Sequence, residues 1–251
     1  MDGATVVITG AGSGIGRSIA FAAAERGARA LVLLDVDEDG MRETERLSSG
    51  PPGSLVHRIR VDVTDAEAVE AAFEEIRGAH GSIGYLFNSA GIQAGLPAWP
   101  DVSAARIRAV IEVNVLGVMF TTRFALPLMK DHGGSILNVA SISGLYPYLT
   151  GAVYGPSKAA VVHFTKCNKD LADQFGIRVN AICPAMVNTP FLRKTGEEGG
   201  GVAPWLAAQI ESGQILSPDA VAAAAIRLAC DESKAGETEA FTPEDAGRTH
   251  A

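Results

Sequence analysis

Two kinds of hydrophobic pattern alternate along the chain. Short runs rich in β-branched residues or leucine are typical of buried strands, and longer alanine-rich stretches with polar residues at helical spacing are typical of amphipathic helices. The short runs predict strands, the last of them the weakest, at Thr5–Thr9, Ala30–Leu34, Leu55–Val61, Ile83–Phe87, Ser135–Val139, Ile177–Ile182 and Thr238–Phe241. The longer stretches predict helices at Ile15–Arg26, Asp37–Leu47, Ala66–Ala79, Val102–Lys130, Ala152–Phe175 and Ala220–Cys230.

This order of elements is typical of repeated strand-helix-strand units. Right-handed crossovers then give a Rossmann-like α/β fold, a doubly wound parallel sheet of about seven strands whose ligand crevice lies at the carboxyl ends of the strands. The chain has 251 residues, of which 47% are hydrophobic, and it can bury a large core. We therefore expect a single domain.

The segment 188–216 interrupts the alternation. Glycines stand in it beside apolar residues, among them Phe191 and Trp205. Long connections in compact domains are usually functional or lack fixed structure. We predict a substrate lid here, with a plain surface excursion as the alternative.

Charge and cysteine content exclude several function classes. The net charge of -8 comes without a cluster of lysine and arginine, which argues against binding to nucleic acid. The three cysteines are scattered and odd in number, with no C-x-x-C pair, so we expect reduced residues and no metal site. No signal peptide is evident and no segment approaches the roughly 18 apolar residues of a membrane span, so we expect a cytoplasmic protein that does not bind membranes.

A glycine-rich segment, TGAGSGIG at 9–16, follows the first predicted strand, and a predicted helix begins within it. Glycines let the backbone turn tightly and approach a pyrophosphate, whose charge the amides and dipole at a helix N-terminus stabilise. The alternative is a tight connection that binds nothing. The predicted nucleotide-binding residues of this segment are Gly10, Ser13, Gly14, Ile15 and Gly16.

Asp35 stands at the end of the second predicted strand, about 20 residues beyond the glycines, where a carboxylate can bind the ribose hydroxyls of the cofactor. The same carboxylate would repel a 2'-phosphate. No arginine or lysine is adjacent to Asp35 in sequence, and position 13 is a serine, so we predict NAD rather than NADP. The alternative is that Asp35 caps the following helix.

Tyr154 and Lys158 lie four residues apart, on one face of a predicted helix. A phenol titrates near pH ~10, and bringing its pKa to 7 takes about 4 kcal/mol, which a fixed cation can supply. Ser141 ends the fifth predicted strand, so strand and helix converge on one crevice. Each residue also has a plainer interpretation: an interfacial tyrosine, a solvated lysine, or a serine that bonds a strand end.

These motifs stand in an order that resembles the short-chain dehydrogenase/reductase family, from about Ala4 to Glu232. The resemblance implies that Tyr154 exchanges a proton with a secondary alcohol or ketone, Lys158 lowers the pKa of Tyr154, and Ser141 bonds the substrate oxygen. It also places Tyr154 and Lys158 against the cofactor, with Lys158 hydrogen-bonded to the nicotinamide ribose. It further implies that Asn114 positions a water as a proton relay. The remaining cofactor positions that it implies are Asp62 and Val63 for the adenine, Asn88, Ala90 and Gly91 for the backbone beside the cofactor, and Pro184, Val187 and Thr189 around the nicotinamide.

The chain departs from the family pattern at Ser89, where an asparagine is frequent, and at Ala185, where a glycine is usual. The methyl group of Ala185 is expected either to narrow the nicotinamide pocket or to shift the ring slightly. A weaker similarity to the 15-hydroxyprostaglandin dehydrogenase branch implies a lipophilic substrate. The residues expected to line the substrate pocket are Gln93, Ser143, Tyr148, Ala185 and Met186.

The resemblance also implies a homo-oligomer, a dimer or a tetramer, assembled through the two long predicted helices. Two other functions stay open at this point. One is a catalytically silent regulator that senses NAD with the same fold. The other is an epimerase or dehydratase, which the absence of a larger C-terminal substrate domain disfavours.

Overall fold

A parallel sheet of seven strands runs through the centre of the computed structural model, which describes residues 1–48, 55–147, 151–196, 201–203, 206–207 and 215–248. Its strands, numbered β1 to β7 in chain order, are Thr5–Thr9, Ala30–Asp35, Leu55–Arg60, Tyr85–Asn88, Gly134–Val139, Ile177–Pro184 and Thr238–Phe241. The strand order is β3-β2-β1-β4-β5-β6-β7, so the direction of winding reverses between β1 and β4. The predicted doubly wound sheet in a single domain is confirmed.

Helices connect the strands and cover both faces of the sheet. In chain order they are α1 (Gly14–Glu25), α2 (Glu38–Leu47), α3 (Ala66–His80), α4 (Ala104–Ile111), α5 (Gly117–Met129), α6 (Tyr154–Cys167), α7 (Leu171–Phe175), α8 (Pro218–Cys230) and α9 (Pro243–Arg248). A π-helical segment, Glu112–Leu116, joins α4 to α5, and 3-10 turns lie at Ile142–Gly144 and Pro190–Lys194.

The core consists of two main layers, one on each face of the sheet. Along β1, Val6 and Ile8 pack with residues of α1 and α8, while Val7 packs on the opposite face with residues of α3 and α5. All five residues of β1 are buried. Burial on both faces explains why the central strands appear in the sequence as continuous apolar runs.

The two longest predicted helices are both interrupted. The stretch predicted at Ala152–Phe175 forms α6 and α7, because Asn168 ends α6 and its side-chain amide donates to the carbonyl of Phe164 at 2.7 Å. Such a bond competes with continued helix. The stretch predicted at Val102–Lys130 is helical but carries the π-helical segment in its middle.

The run Ala104–Met129 is long and apolar enough to cross a membrane by length and composition alone, contrary to our expectation for the sequence. Its apolar residues Val110, Ala125 and Met129 are fully buried among core side chains. A core helix passes the same test of length and composition. The run is therefore weak evidence for a membrane span.

Candidate active site

The carboxyl ends of β1, β4, β5 and β6 meet at one edge of the sheet, beside the point where the winding reverses. This is where doubly wound sheets bind ligands. The turn after β1 lies against the turn after β4: at Gly10, with φ of +66°, an added Cβ would lie 2.8 Å from the Cα of Ala90. Only glycine fits at Gly10, so the sequence of this turn brings the two strand ends together.

The hydroxyl of Thr9 joins the same two turns. Its Oγ1 accepts the backbone N–H groups of Ser89 at 3.1 Å and of Ala90 at 3.2 Å. Thr9 was not among the predicted site residues, although it opens the glycine-rich segment. Its position as the last residue of a strand was the available signal.

Asn88 occupies the end of β4, but its side chain faces the protein interior. It is 1% exposed and bonds three neighbours: the amide donates to Thr122 at 3.2 Å and to Asn138 at 2.9 Å, and the carbonyl oxygen accepts from Thr121 at 2.7 Å. Asn88 therefore ties β4 to β5 and α5. The backbone beside it, at Ala90 and Gly91, borders the crevice.

The carboxylate of Asp35, at the end of β2, accepts the backbone N–H of Gly12 at 2.8 Å through Oδ2 and that of Asp37 at 3.0 Å through Oδ1. It thus lies beside the glycine-rich turn. The alternative that Asp35 caps α2 is wrong, because the cap is Asp37, whose side chain accepts the N–H of Gly40.

Ser13 is the residue before α1 and makes no side-chain capping bond there. Arg17, one turn into α1, donates to the carbonyls of Gly12 and Gly40 and to the hydroxyl of Thr44. The sequence argument for NAD considered only the neighbours of Asp35 along the chain, whereas Arg17 bonds Gly12, the residue whose N–H donates to the Asp35 carboxylate. Its guanidinium is already bound to three protein acceptors.

Asp62 and Val63 follow β3. Asp62 is exposed, and its Oδ1 accepts both the N–H and the hydroxyl of Thr64, at 2.9 and 2.8 Å, which fixes the turn. Val63 is 8% exposed and packs where α5 begins, close to Gly117. Both lie on the side of the sheet where the resemblance puts the adenine.

The segment after β6 returns over the glycine-rich turn. Thr189 is 9% exposed, and an added Cβ on Gly14 would lie 3.1 Å from its Cγ2. Val187 is held by a bridge to Leu216, and the N–H of Ala185 donates to Phe241 at 2.8 Å. Pro184, Val187 and Thr189 therefore line one path from the sheet edge to the turn.

Ala185 is partly buried and packs against the core layer of α1 and α8. Its methyl group thus has packing partners away from the crevice. The expected narrowing of the nicotinamide pocket stays a prediction.

Ser141 and α6 are brought together by a tight packing contact. Ser141 begins the 3-10 turn Ile142–Gly144, and its Oγ accepts the N–H of Ser143 at 3.1 Å. An added Cβ on Gly144 would lie 2.6 Å from the carbonyl carbon of Lys158. Glycine at this position lets the turn reach α6, so Ser141 lies near Tyr154, close enough for its hydroxyl to act on the pKa of the phenol.

Tyr154 and Lys158 lie on the same face of α6, with Nζ of Lys158 5.7 Å from the centroid of the Tyr154 ring. Nζ donates to the carbonyl of Val139 at 2.8 Å, and Lys158 is only 4% exposed. Burial lowers the pKa of Lys158 to about 8. The predicted juxtaposition of the phenol and the amine is present.

The pKa of Tyr154 differs from the expectation. Burial raises it above its ordinary value, and the neighbouring hydroxyl of Ser141 acts in the opposite direction. The net shift of this pKa is upward, contrary to the lowering that the resemblance implies. The shift that a buried site imposes on a phenol depends on packing, which the spacing of the two residues does not encode.

Asn114 is fully buried inside the π-helical segment, where such segments often mark functional positions. Its Oδ1 accepts the N–H of Ile92 at 2.8 Å, and its Nδ2 donates to the carbonyl of Ile92 and to Oγ of Ser157, both at 3.0 Å. Asn114 therefore holds the loop after β4 against α6. The water relay implied by the resemblance stays a prediction.

Most of the expected substrate residues surround this crevice. Gln93 lies on the loop after β4, Ser143 on the 3-10 turn after β5, and Ala185 and Met186 on the segment after β6. Tyr148 lies outside the described residues, as do parts of the predicted lid. That these residues contact substrate stays a prediction.

Phe191 is a further candidate that was not among the predicted site residues. Its ring centroid lies 5.8 Å from that of Tyr154, with the planes tilted by 55°. Phe191 belongs to the predicted lid, whose apolar composition was the available signal. The contact puts an aromatic wall directly beside the phenol.

Comparison with known proteins shows how widely this architecture is shared. A family model described as short chain dehydrogenase matches residues 4–199. A 3-oxoacyl-[acyl-carrier-protein] reductase of Thermotoga maritima is 33% identical over 240 residues, which cover 93% of this chain and 93% of that protein. A 2,5-dichloro-2,5-cyclohexadiene-1,4-diol dehydrogenase of Sphingobium indicum is 33% identical, over 92% of this chain and 91% of that protein.

A solved structure of levodione reductase has the same fold, with a TM-score of 0.88 at 26% identity, and the match covers 98% of this chain and 99% of that one. The names of these proteins differ in the molecule acted on, and none of the three is a prostaglandin dehydrogenase. The similarity to that branch stays a prediction.

Proposed function

The chain belongs to the short-chain dehydrogenase/reductase family, and from that membership we propose that it transfers a hydride between NAD(H) and a secondary alcohol or the corresponding ketone. Members of this family are oxidoreductases that use a nicotinamide cofactor. One observation carries the proposal: Ser141, Tyr154 and the buried amine of Lys158 lie together at the strand ends that border the glycine-rich turn.

The residues at this edge fit a nicotinamide dinucleotide. The first amides of α1 have no side-chain cap from Ser13, so they are suited to bind a pyrophosphate. The carboxylate of Asp35 lies beside the glycine-rich turn and suits the ribose hydroxyls. Val187 and Thr189, at the other side of the turn, would hold the nicotinamide end.

The bound nicotinamide would supply the acceptor or donor of the hydride, and this chain's residues would handle the proton. Tyr154 takes the proton of the alcohol during oxidation and returns it to the ketone during reduction. Ser141 donates a hydrogen bond to the same substrate oxygen as charge develops there. Lys158 holds a positive charge close to the phenol in the fraction of molecules in which it is protonated.

Phe191 supports an apolar substrate. Its ring lies against Tyr154, so a group attached to the reacting carbon would contact an aromatic surface rather than water. The two relatives described above are named for the molecules they act on. One name gives oxoacyl chains and the other a chlorinated cyclohexadiene diol. We therefore infer that the substrate is a lipophilic secondary alcohol or ketone. We also propose that the protein acts in the cytoplasm.

Tyr154→Phe tests the proposal. The variant keeps the ring that packs on Phe191 and removes only the transferable proton, so we expect kcat to fall about 10²–10⁴-fold and NAD binding to be unchanged. Wild-type and variant protein are assayed with NAD and a panel of hydroxysteroids, hydroxy fatty acids, sugar alcohols and small secondary alcohols, following absorbance of the reduced cofactor.

The matched control is Tyr146→Phe, which makes the same change at a tyrosine that is 58% exposed. We expect the control to keep the wild-type rate. Turnover by Tyr154→Phe at the wild-type rate would show that the phenol is not the proton carrier.

Asp35→Ala tests the choice of cofactor. We expect the variant to lose NAD affinity by about 10-fold or more, because hydrogen bonds from the ribose hydroxyls to a charged group are worth about 1.5–3 kcal/mol. Affinity for NADP should change little or improve. Titration of both dinucleotides by calorimetry measures this, with Asp37→Ala, which removes only the cap of α2, as the control; equal NAD affinity in wild type and Asp35→Ala would exclude Asp35 from the ribose site.

A further inference from the structure

The loop after β4, residues 92–96, is held at three successive points. Asn114 bonds both the N–H and the carbonyl of Ile92. Arg106 of α4 donates through Nε to the carbonyl of Ala94 at 2.9 Å and through a terminal nitrogen to the carbonyl of Gln93. The N–H of Leu96 donates to the carbonyl of Gly196 in the predicted lid at 3.0 Å.

Apolar packing reinforces these bonds. Ile92 and Ala94 pack with Ile107 of α4 against a small buried cluster that includes Val153. Val153 directly precedes Tyr154. The loop therefore connects α4, the predicted lid and the start of α6.

Arg106 bonds the loop from 12 and 13 residues away along the chain and belongs to none of the motifs found in the sequence. Its guanidinium is forked and planar, so one side chain can bond two consecutive carbonyls and fix the direction of the backbone between them. That backbone carries Gln93, which we expect to face substrate. A shift of this backbone would change how the substrate binds, but it would not move the side chains that transfer the proton.

We propose that Arg106 is a positioning residue for substrate binding: it clamps residues 93 and 94 so that the loop carries Gln93 to the crevice and keeps its bond to the lid. The inference rests on the proposed function, since Gln93 binds substrate only if the crevice is an active site. Arg106 acts through the loop and does not itself contact the reacting atoms.

The first test is a comparison of kinetic constants. In Arg106→Ala we expect KM for the alcohol to rise about 10-fold or more while kcat changes less than about 3-fold, because uniform binding is lost and the transition-state interactions are kept. Affinity for NAD, titrated separately, should not change. Arg106→Lys, which keeps the charge but lacks the fork, should have a KM between those of wild type and Arg106→Ala.

Arg108→Ala is the matched control, because Arg108 is an exposed arginine on the same helix. The control variant should leave KM and kcat unchanged. It should also leave unchanged the hydrogen exchange of the loop amides, which is the second test. Should Arg106→Ala fail to fold, as judged by circular dichroism, Arg106→Lys carries the test.

The second test does not need an active enzyme. Hydrogen exchange followed by mass spectrometry on peptides covering 91–100 should be at least about 10-fold faster in Arg106→Ala than in wild type or Arg108→Ala, since the clamp protects this loop. Unchanged exchange overturns the inference, and so does a KM equal to that of wild type. A wild-type protein that oxidises no alcohol but shows the exchange difference would instead refute the proposed function and leave the clamp standing.

Discussion

Residue identity explains the chemistry of the site only together with burial. The pair Tyr154 and Lys158 was predicted from spacing, and both side chains lie where that spacing implies. Their proton affinities depend on what surrounds them: burial raises the pKa of the phenol and lowers that of the amine to about 8. A buried cation costs folding free energy, so Lys158 is retained at the expense of stability.

The cost of Lys158 has a defined pH dependence. Its pKa falls from 10.5 to about 8 on folding, which corresponds to about 3 kcal/mol of lost stability when both the folded and unfolded states are protonated. Between pH 8 and 10.5 the unfolded chain binds a proton that the folded protein does not, so stability from this group rises with pH through that range. Below pH 8 the full cost is present.

Lys158→Met is therefore expected to stabilise the protein at pH 7 by about 1–3 kcal/mol, after allowance for the lost hydrogen bond to Val139. The gain should shrink as pH rises from 8 to 10.5. Urea unfolding at pH 7 and pH 10 measures both values. Lys166→Met, at an exposed lysine of the same helix, is the control and should show neither effect; a Lys158→Met variant less stable than wild type at pH 7 would contradict the argument.

Elements with continuous patterns were predicted best. β1 has the predicted bounds, because a strand buried on both faces is an uninterrupted apolar run. β7 also has the predicted bounds, although only Phe241 of its four residues is buried. The fourth strand starts two residues later than predicted, since the N–H of Ile83 donates to Leu128 of α5 instead of a neighbouring strand. Ile83 is apolar and buried, so its pattern matches a strand even though its backbone bonds a helix.

The π-helical segment shows the opposite case. The hydrophobic spacing of 102–130 is compatible with a regular helix, and nothing in it marks the extra residue that turns Asn114 inward. Asn114 itself was predicted only through the family resemblance. The bonds that explain its position reach Ile92 and Ser157, which are far from it along the chain.

At the scale of the whole molecule, the sequence predicted which residues lie together at the sheet edge but not the contacts between distant segments beside it. The strand-end residues Asp35, Asn88 and Ser141 lie at one edge because parallel topology requires it. The bond between Leu96 and Gly196 and the ring contact between Tyr154 and Phe191 join segments with no shared local pattern. Such contacts follow from the packed structure.

Assembly is a prediction at the same scale. Ile111 is 37% exposed and Leu116 is 36% exposed, both on the helical run that the family resemblance assigns to subunit contact. We expect a dimer or tetramer in solution and a shift to smaller species in Leu116→Glu, because a buried unpaired charge opposes association. Sedimentation velocity measures this, with Leu47→Glu on α2 as the control at another exposed leucine; a wild-type monomer would contradict the prediction.

The two ends of segment 188–216 meet beside the sheet: Val187 bridges Leu216, the N–H of Asn188 donates to Leu216 and that of Leu216 to Met186. The segment thus begins and ends at neighbouring points of the sheet edge. The entropy of closing a connection across such a junction changes only slowly with the length of the connection. We therefore expect that this segment can be exchanged for one of another length, with a change in the molecules that are accepted, while the sheet and the glycine-rich turn keep their geometry.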